Sequence, residues 1–292
     1  MISLADLDVV TPSSLGEALE ILAERAGKVR VLAGGTDLIV QMRHRMTPKT
    51  DLLNIYALDE LRYVKLEDGY VKIGALTDFS TIYSSPLVRR AAPVLAEAAF
   101  AVGSVQIMNK ATLGGNIVNA SPAADSLPPL YVLDANLTLK SRSSVRTVPI
   151  DEFYKGYKKL DIRPDELLVE VSFKPLPDNY SGRFFKHGLR QGDAISVVNG
   201  AVLIGWDNET DTIADARVAL GAVAPTVVRA TECEKMLVGA KLDDETMWRA
   251  AEAVKESISP IDDVRGSAAY RREMCINYVY MTLWILSRKV KA

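Results

Sequence analysis

Two glycine pairs, Gly34-Gly35 and Gly114-Gly115, constrain the fold of this chain more than any other sequence feature. The first pair follows a valine-rich segment, Lys28 to Leu32, that predicts a strand, and precedes a segment, Leu38 to Arg45, that predicts a short helix. Because glycine has no Cβ atom, the backbone there can approach another group closely and adopt positive φ. Such a turn can bind anionic oxygens through its amides or serve only as a tight connection, and the first pair alone leaves both interpretations open.

Polar residues around the second pair favour a ligand-binding interpretation. Thr112 and Asn116 flank the glycines, and Ser121 and Asp125 follow at short range. Two glycine turns can hold one pyrophosphate from two sides, and Asp125 can accept hydrogen bonds from ribose or ribityl hydroxyls, as acids do in other dinucleotide sites. The alternative for Asp125 is an acid in the first turn of a helix, where the helix dipole favours negative charge.

Helices and strands are mixed in the first part of the chain. Ser14 and Glu17 predict a capping box before a first helix. Asp68-Gly69 predicts the turn of a hairpin between strands at Tyr63 to Leu66 and Tyr70 to Gly74. Three further elements are predicted: a helix over Leu87 to Val102, a helix over Ala123 to Leu133 that begins at Ser121-Pro122, and a strand over Asn136 to Lys140.

The periodicity stops between Lys174 and Gly182, where two prolines interrupt the chain. We therefore expect a first domain over residues 1–176 and a second over residues 177–292. Strands followed by helices in the second domain indicate an α+β arrangement with helices on one face of an antiparallel sheet. The predicted strands are Arg183 to Leu189, Val197 to Trp206 and Ile213 to Gly221, and the predicted helices are Val227 to Leu237, Asp244 to Ser257 and Ser267 to Val290.

Composition limits the classes of function. The 292 residues are 48% apolar and 25% charged with a formal net charge of -2, which is typical of a globular protein and offers no basic excess for a nucleic acid. The most apolar helical stretch, Cys275 to Leu286, is too short for a membrane span. The first ten residues carry acids and no basic region of a signal peptide, so we expect a cytoplasmic protein.

Cysteine and histidine are too few for several redox and hydrolytic sites. Two cysteines, Cys233 and Cys275, cannot ligate an iron–sulfur cluster, and His44 and His187 add no zinc-like spacing. The two cysteines are best interpreted as small buried apolar residues. Redox chemistry on this chain would therefore need a bound organic cofactor. The sequence contains no dinucleotide G-x-G-x-x-G, no P-loop and no nucleophile elbow, and we predict no catalytic acid or base.

Two segments resemble a known family. Val31 to Leu38 (VLAGGTDL) and Ala111 to Asp125 (ATLGGNIVNASPAAD) are similar to the two FAD-binding signatures of the molybdenum hydroxylases, in the medium subunit of carbon monoxide, nicotinate and bacterial xanthine dehydrogenases. The resemblance extends over nearly the whole chain. It implies a fold of the α+β class, a p-cresol methylhydroxylase-type FAD-binding fold followed by an α+β C-terminal domain.

The resemblance also implies FAD-contacting positions. The first motif would hold the pyrophosphate, the second would form the opposite wall, and further contacts would come from positions up to residue 195. The implied residues are Val31, Leu32, Ala33, Gly34, Gly35, Thr36, Asp37 and Leu38 in the first motif, Thr112, Gly114, Gly115, Asn116, Ser121 and Asp125 in the second, and Val102, Leu168, Lys186, Asp193 and Ile195 elsewhere. Taken without the family, Leu168 is a strand core residue, and Lys186 is equally well a solvated strand lysine.

This chain departs from the family pattern at several points. Met108 stands where members often have arginine, and Val102 stands where some have an aromatic residue that stacks on adenine. Two cysteines exclude the extra four-cysteine cluster of the 4-hydroxybenzoyl-CoA reductase branch. Covalent flavin is commonly attached through histidine, and because His44 and His187 lie outside the glycine motifs, we expect non-covalent FAD.

The resemblance implies an oxidoreductase complex. A large partner subunit would carry a molybdopterin cofactor, and a small partner would carry 2Fe-2S clusters that deliver electrons to FAD on this chain. NAD+, a quinone or oxygen would be the acceptor. Two alternatives from other classes stay open at this stage: a stand-alone flavin oxidase of the wider fold family, for which we see no candidate base, and a non-enzymatic assembly subunit whose glycine turns are structural. A nucleotide-binding regulator is a third and weaker interpretation.

Overall fold

The computed structural model describes residues 7–44, 46, 48 and 50–289. Its strands are β1 Val9–Val10, β2 Val29–Leu32, β3 Asp51–Asn54, β4 Val64–Glu67, β5 Tyr70–Gly74, β6 Asn136–Lys140, β7 Val145–Pro149, β8 Tyr154–Gly156, β9 Lys159–Leu160, β10 Leu167–Phe173, β11 Tyr180–Gly188, β12 Ser196–Asp207, β13 Thr212–Gly221 and β14 Val228–Arg229. Its α-helices are α1 Leu15–Glu24, α2 Leu38–Arg43, α3 Phe79–Ser84, α4 Pro86–Ala91, α5 Pro93–Phe100, α6 Val105–Met108, α7 Leu113–Val118, α8 Leu127–Val132, α9 Ile150–Phe153, α10 Thr231–Leu237, α11 Asp244–Ala253 and α12 Ala268–Lys289. Arg45 and Val290, the ends predicted for two of these helices, lie outside the described residues.

The chain opens with a small parallel sheet in the order β1-β3-β2 and with helix α1. The Ser14 hydroxyl accepts a hydrogen bond from the Glu17 N–H at 3.2 Å, so the predicted N-cap is confirmed. The reciprocal half of the capping box is wrong by one residue, because the Glu17 carboxylate accepts from the Ser13 N–H at 2.7 Å and not from that of Ser14. The carboxylate still satisfies an N–H group at the start of the helix.

A five-stranded antiparallel sheet forms the centre of the first part of the chain, in the order β4-β5-β10-β6-β7. The predicted hairpin is confirmed: Asp68 and Gly69 have φ of 53° and 78°, as a two-residue turn requires. Val71 and Ile73 alternate inward from β5, and with Phe79, Phe153 and Phe173 they belong to the largest core cluster. Strand β10 lies in the middle of this sheet and carries Leu168 into the core.

Two predicted helices are shorter than the sequence pattern indicates, and proline explains both. The helix predicted over Leu87 to Val102 is two helices, α4 and α5, separated at Ala92, because Pro93 lacks an N–H and restricts the residue before it. The helix predicted over Ala123 to Leu133 begins only at Leu127, because Pro128 and Pro129 are tolerated only in a first turn. Ser121 is therefore no N-cap of that helix; its hydroxyl accepts from the Ala123 N–H at 3.3 Å in a local turn.

The second antiparallel sheet has the order β11-β12-β13-β14, and its three long strands are as predicted. The start of the predicted helix Val227 to Leu237 is wrong, since Val228 and Arg229 form β14 and α10 begins at Thr231. Val202 and Ile204 of β12 pack against helices α10 to α12. Ala201 and Leu203 alternate with them and pack into the core of the first sheet. The second sheet is thus covered on both faces.

None of the described helices combines the length and apolar character needed to span a bilayer.

Candidate functional site

The first glycine pair lies between β2 and α2, as the sequence predicts. Gly35 has a φ of 71°, which favours glycine, and Asp37 is the N-cap residue of α2. Within the described residues, no protein acceptor takes a hydrogen bond from the backbone N–H groups of Thr36, Asp37 and Leu38. Three successive N–H groups at the start of a helix therefore remain available for oxygens of a ligand.

The second glycine pair differs from the prediction, because it lies inside a helix and not in a turn. Thr112 is the N-cap of α7, and its hydroxyl accepts from the Gly115 N–H at 3.1 Å. The N–H groups of Leu113 and Gly114 donate to the carbonyl oxygens of Thr77 and Ala75, at 3.0 and 2.8 Å. The second motif therefore offers a surface without bulky side chains, and the N–H donors of the site come from the first motif.

The two motifs are in direct contact. A Cβ atom at Gly34 would lie 1.9 Å from the carbonyl oxygen of Lys110, immediately before the second motif, so only glycine permits this approach. On the other side, a Cβ atom at Gly115 would lie 3.9 Å from the Ala33 Cβ. The side chain of Gln41, on α2, donates to Asn119 at the end of α7 at 3.2 Å. The structure thus brings together the two segments that the sequence analysis paired.

Asp125 and Lys186 also meet, across the two parts of the chain. The Lys186 ammonium donates to Asp125 Oδ2 at 2.6 Å and to the Ala101 carbonyl oxygen at 2.8 Å. Asp125 Oδ1 accepts from Ser196 Oγ at 2.6 Å and from Asn199 Nδ2 at 2.8 Å. Asp125 lies before α8, outside its first turn, so a helix-dipole role does not explain this acid. Its carboxylate is instead engaged by three side chains of the second sheet.

A cleft of about 600 Å³ lies beside this ion pair. Lys186 and Asp193 line it together with Ala101 and Gly103, the neighbours of Val102, and the Asp193 N–H donates to the Gly103 carbonyl oxygen at 2.8 Å. Asp193 itself has a φ of 48°. The cleft does not include the glycine motifs, so the predicted residues form two groups, one at the N-terminus of α2 and one around Lys186.

The remaining predicted residues lie in different environments. Val102 and Leu168 are buried, whereas Ile195 is 63% exposed. Asn116 lies on α7, and its side chain accepts a hydrogen bond from Ser126 Oγ, just before α8, at 2.6 Å. Val31 and Leu32 are half-buried at the end of β2.

The sequence analysis missed Ser196 and Asn199, both of which are completely buried in β12. Asn199 is a polar residue within the apolar run from Val197 to Ile204, and a buried polar side chain needs a partner. That pattern could have marked Asn199. No local pattern marks Ser196, because its partner Asp125 lies 71 positions away in the sequence.

Cysteine and histidine take structural roles in the described part of the chain. Cys233 and Cys275 are buried; burial raises the pKa of both thiols, that of Cys275 to about 12, which makes them poor nucleophiles. His187 is hydrogen-bonded through its two ring nitrogens to the hydroxyls of Tyr278 and Tyr270, at 3.2 and 2.9 Å. In the part of the chain that the structure describes, no group of three His, Cys, Asp or Glu side chains could hold a metal ion.

Two family descriptions match this chain. Residues 5–176 match the FAD binding domain in molybdopterin dehydrogenase, and residues 183–284 match the CO dehydrogenase flavoprotein C-terminal domain. The first match alone covers more than half of the chain.

Individual proteins match over nearly the full length. The xanthine dehydrogenase FAD-binding subunit of Escherichia coli O157:H7 is 33% identical over 96% of this chain and 94% of its own length. The glyceraldehyde dehydrogenase medium chain of Sulfolobus acidocaldarius is 36% identical over 92% of this chain and 94% of its own length. Among solved structures, a carbon monoxide dehydrogenase of Hydrogenophaga pseudoflava that lacks the Mo-pyranopterin moiety of its molybdenum cofactor superposes with a TM-score of 0.92, at 31% identity and 97% coverage of both chains.

Proposed function

This chain belongs to the FAD-binding subunits of the molybdenum hydroxylase family, and from this premise we propose that it takes electrons from 2Fe-2S clusters of a partner subunit and passes them through FAD to NAD+ or another acceptor. The chain is an oxidoreductase subunit with FAD as its cofactor. When bound, FAD supplies the capacity to accept electrons singly and release them in pairs. The protein's part is to bind and orient the cofactor.

The residues of the first motif fit the pyrophosphate of FAD. The N–H groups of Thr36, Asp37 and Leu38 have no acceptor in the part of the chain that the structure describes, and they lie at the positive end of a helix, an arrangement suited to phosphate oxygens. This set of free donors, in contact with the second motif, is the observation that carries the proposal. The second motif adds exposed backbone without a side chain at Gly115, against which a dinucleotide could lie, whereas Gly114 is buried against Ala75.

The residues around Lys186 would contact the remainder of the cofactor. A positively charged ammonium favours negative charge nearby, but Asp125 neutralises Lys186 in this structure. We therefore expect Lys186 to act mainly through position and hydrogen bonding, and only weakly through net charge. Asp193 would contribute through the cleft that it lines, and Val102, between the cleft residues Ala101 and Gly103, would contribute apolar surface. Leu168 is buried in the first sheet, and its contact with the cofactor is proposed from the family resemblance alone.

The surface supports a place in a larger complex. A second cleft of about 640 Å³ shares Phe100, Ala101, Lys186 and Tyr278 with the first. Phe100 and Met281 line this cleft and are 62% and 53% exposed. A docking subunit should carry exposed apolar side chains of this kind. The expected partners are a large subunit with a molybdopterin cofactor and a small subunit with 2Fe-2S clusters. We also propose the division into residues 1–176 and 177–292.

The experiment is the visible absorbance spectrum of the purified chain, followed by acid precipitation. We expect one FAD per chain, and because both histidines lie outside the motifs, we expect acid to release it into the supernatant. A colourless chain that takes up no added FAD would contradict the proposal, and colour that stays with the pellet would contradict the non-covalent link.

A second experiment addresses the acceptor. The bound flavin is reduced without oxygen, and NAD+, a soluble quinone or oxygen is then added separately. Rapid reoxidation by NAD+ supports NAD+ as the acceptor. Reoxidation only by a quinone or oxygen excludes NAD+ but leaves the electron-transfer role in place.

A further inference from the structure

The Asp125 carboxylate is held from one side by strand β12 and from the other by strand β11. Ser196 and Asn199 of β12 donate to Oδ1, and Lys186 of β11 donates to Oδ2. Asp125 is 7% exposed, and both Ser196 and Asn199 are fully buried. With both oxygens engaged, the carboxylate has a single orientation, and that orientation fixes the Lys186 ammonium beside the Ala101 carbonyl oxygen.

The strand register explains how two residues three positions apart reach one oxygen. Lys186 lies directly opposite Asn199, whereas Gly188 pairs with Ser196, and the register shifts between His187 and Gly188. This bulge turns Ser196, which simple alternation would direct to the opposite face, towards the same carboxylate as Asn199. The geometry of one bulge accounts for both contacts.

Space for the Asn199 side chain comes from the neighbouring strand. Gly221 pairs with Asn199, and a Cβ atom at Gly221 would lie 2.1 Å from Asn199 Oδ1. Any larger residue at position 221 would displace the amide that donates to Asp125. Three strands of the second sheet therefore contribute to this contact: β11 through Lys186, β12 through Asn199 and β13 through the space at Gly221.

We propose that Ser196 and Asn199 are positioning residues for FAD binding, which act through Asp125 on Lys186. Lysine has a flexible four-carbon side chain, so the ammonium occupies one place only if its partner is fixed. Loss of a donor to Asp125 would free the carboxylate and with it Lys186, which lines both clefts. This inference rests on the proposed function, because it takes the first cleft, which Lys186 lines together with Asp193, as part of the FAD site.

The test compares Ser196→Ala, Asn199→Ala, Lys186→Met and the double variant Ser196→Ala/Lys186→Met in the full chain. Three quantities are measured: the Kd for FAD, the visible circular dichroism of bound FAD, and the free energy of unfolding without FAD. Because the Ser196 hydrogen bond is present without FAD, Ser196→Ala should lower the free energy of unfolding, and the displacement of Lys186 should in addition weaken FAD binding by about tenfold. If Ser196 acts through Lys186, the double variant should bind FAD within about twofold of Lys186→Met alone.

Val202→Ala is the matched control. Val202 lies on β12 but packs against the helices on the other face of the sheet, so its loss should lower stability and leave the Kd and the dichroism unchanged. If Ser196→Ala and Asn199→Ala behave like this control, or if the effects of Ser196→Ala and Lys186→Met simply add, the positioning role is wrong. If the unaltered chain binds no FAD, the proposed function fails instead, so the two failures are distinguishable.

Discussion

At the scale of single residues, Gly34 shows how one missing atom can join two distant segments. The Lys110 carbonyl oxygen occupies the place where a side chain at position 34 would begin. The approach aligns the first motif with the second and so places the start of α2 beside the second motif. Gly35 contributes differently, through its positive φ.

The first prediction concerns Gly34→Ala. The new Cβ would meet a backbone oxygen that has no flexible side chain to move away, so the two motifs must separate. We expect a loss of about 1–3 kcal/mol in the free energy of unfolding, as for other overpacked sites, together with loss of bound FAD if the proposed site is correct. Urea unfolding and flavin content measure the two effects. Gly16→Ala, in an uncrowded position of α1, is the control and should keep both; retention of FAD by Gly34→Ala would refute the predicted role of the contact.

The second prediction concerns the pH dependence contributed by Asp263. Burial raises the pKa of this carboxyl, but hydrogen bonds from Arg265 and Arg271 outweigh burial and bring the pKa to about 2. Because the folded pKa is below the unfolded value of 3.8, the stabilisation is present above about pH 4 and is lost as the pH falls towards 2. Asp263 is partly exposed, and with screening we expect about 1 kcal/mol.

The measurement for Asp263 is the difference in free energy of unfolding between the unaltered chain and Asp263→Asn, taken across that pH range. The difference should shrink as the pH falls, because protonation makes the two side chains alike. A difference that is constant with pH would show that the carboxylate charge makes no contribution.

At the scale of elements, the sequence predicts whatever depends on neighbours along the chain. The Asp68-Gly69 hairpin, the Ser14 cap and the strands of the second sheet depend on local pattern and are confirmed. The two long helices are wrong predictions, because the apolar spacing continues through Pro93 and Pro128 but the helical backbone does not.

The site follows the same division between local and distant contacts. The first motif could be located from its strand–glycine–helix order. In the second motif, the first N–H groups of the helix donate to the carbonyl oxygens of Ala75 and Thr77. These acceptors lie more than 30 residues earlier in the chain, so a local sequence pattern does not reveal them. Ser196 was missed for the same reason. Which predicted residues contact FAD stays a prediction that the binding experiments above address.

The third prediction concerns the N-cap of α11. The Asp243 carboxylate accepts from the Thr246 N–H at 2.8 Å, and this bond lowers the pKa of Asp243. Asp243→Ala leaves that N–H without its partner, and we expect a measurable loss in the free energy of unfolding. Asp243→Asn keeps an oxygen acceptor and should retain most of the stability. Equal losses in the two variants would indicate that the charge, and not the cap hydrogen bond, stabilises the helix.

At the scale of the whole molecule, strand β12 joins the two parts of the chain. Ala201 and Leu203 enter the first core and Val202 and Ile204 the second, which explains why this strand is an almost continuous apolar run. Ion pairs reinforce the junction: Arg217 and Arg229, in the second sheet, both bond to Asp134 in the first part. The helices cover one face of the second sheet as predicted, but no sequence pattern indicates that the first part of the chain covers the other.

The last prediction follows from this shared core. All three tryptophans lie in the second sheet or its helices, Trp206 on β12, Trp248 on α11 and Trp284 on α12, so their fluorescence reports on that part of the molecule. Leu137 is fully buried in the first sheet, and Leu137→Ala should destabilise that core by about 2–5 kcal/mol.

Because the two cores share β12, we expect Leu137→Ala to lower the urea midpoint seen by tryptophan fluorescence as much as the midpoint seen by far-ultraviolet circular dichroism. The control is Val145→Ala on the adjacent strand β7, where the side chain is 62% exposed and both midpoints should stay in place. An unchanged tryptophan midpoint beside an earlier dichroism transition would show that the domains unfold independently. In that case the junction at β12 would be a contact between two separate folding units, and Asp125 and Lys186 could part without unfolding either one.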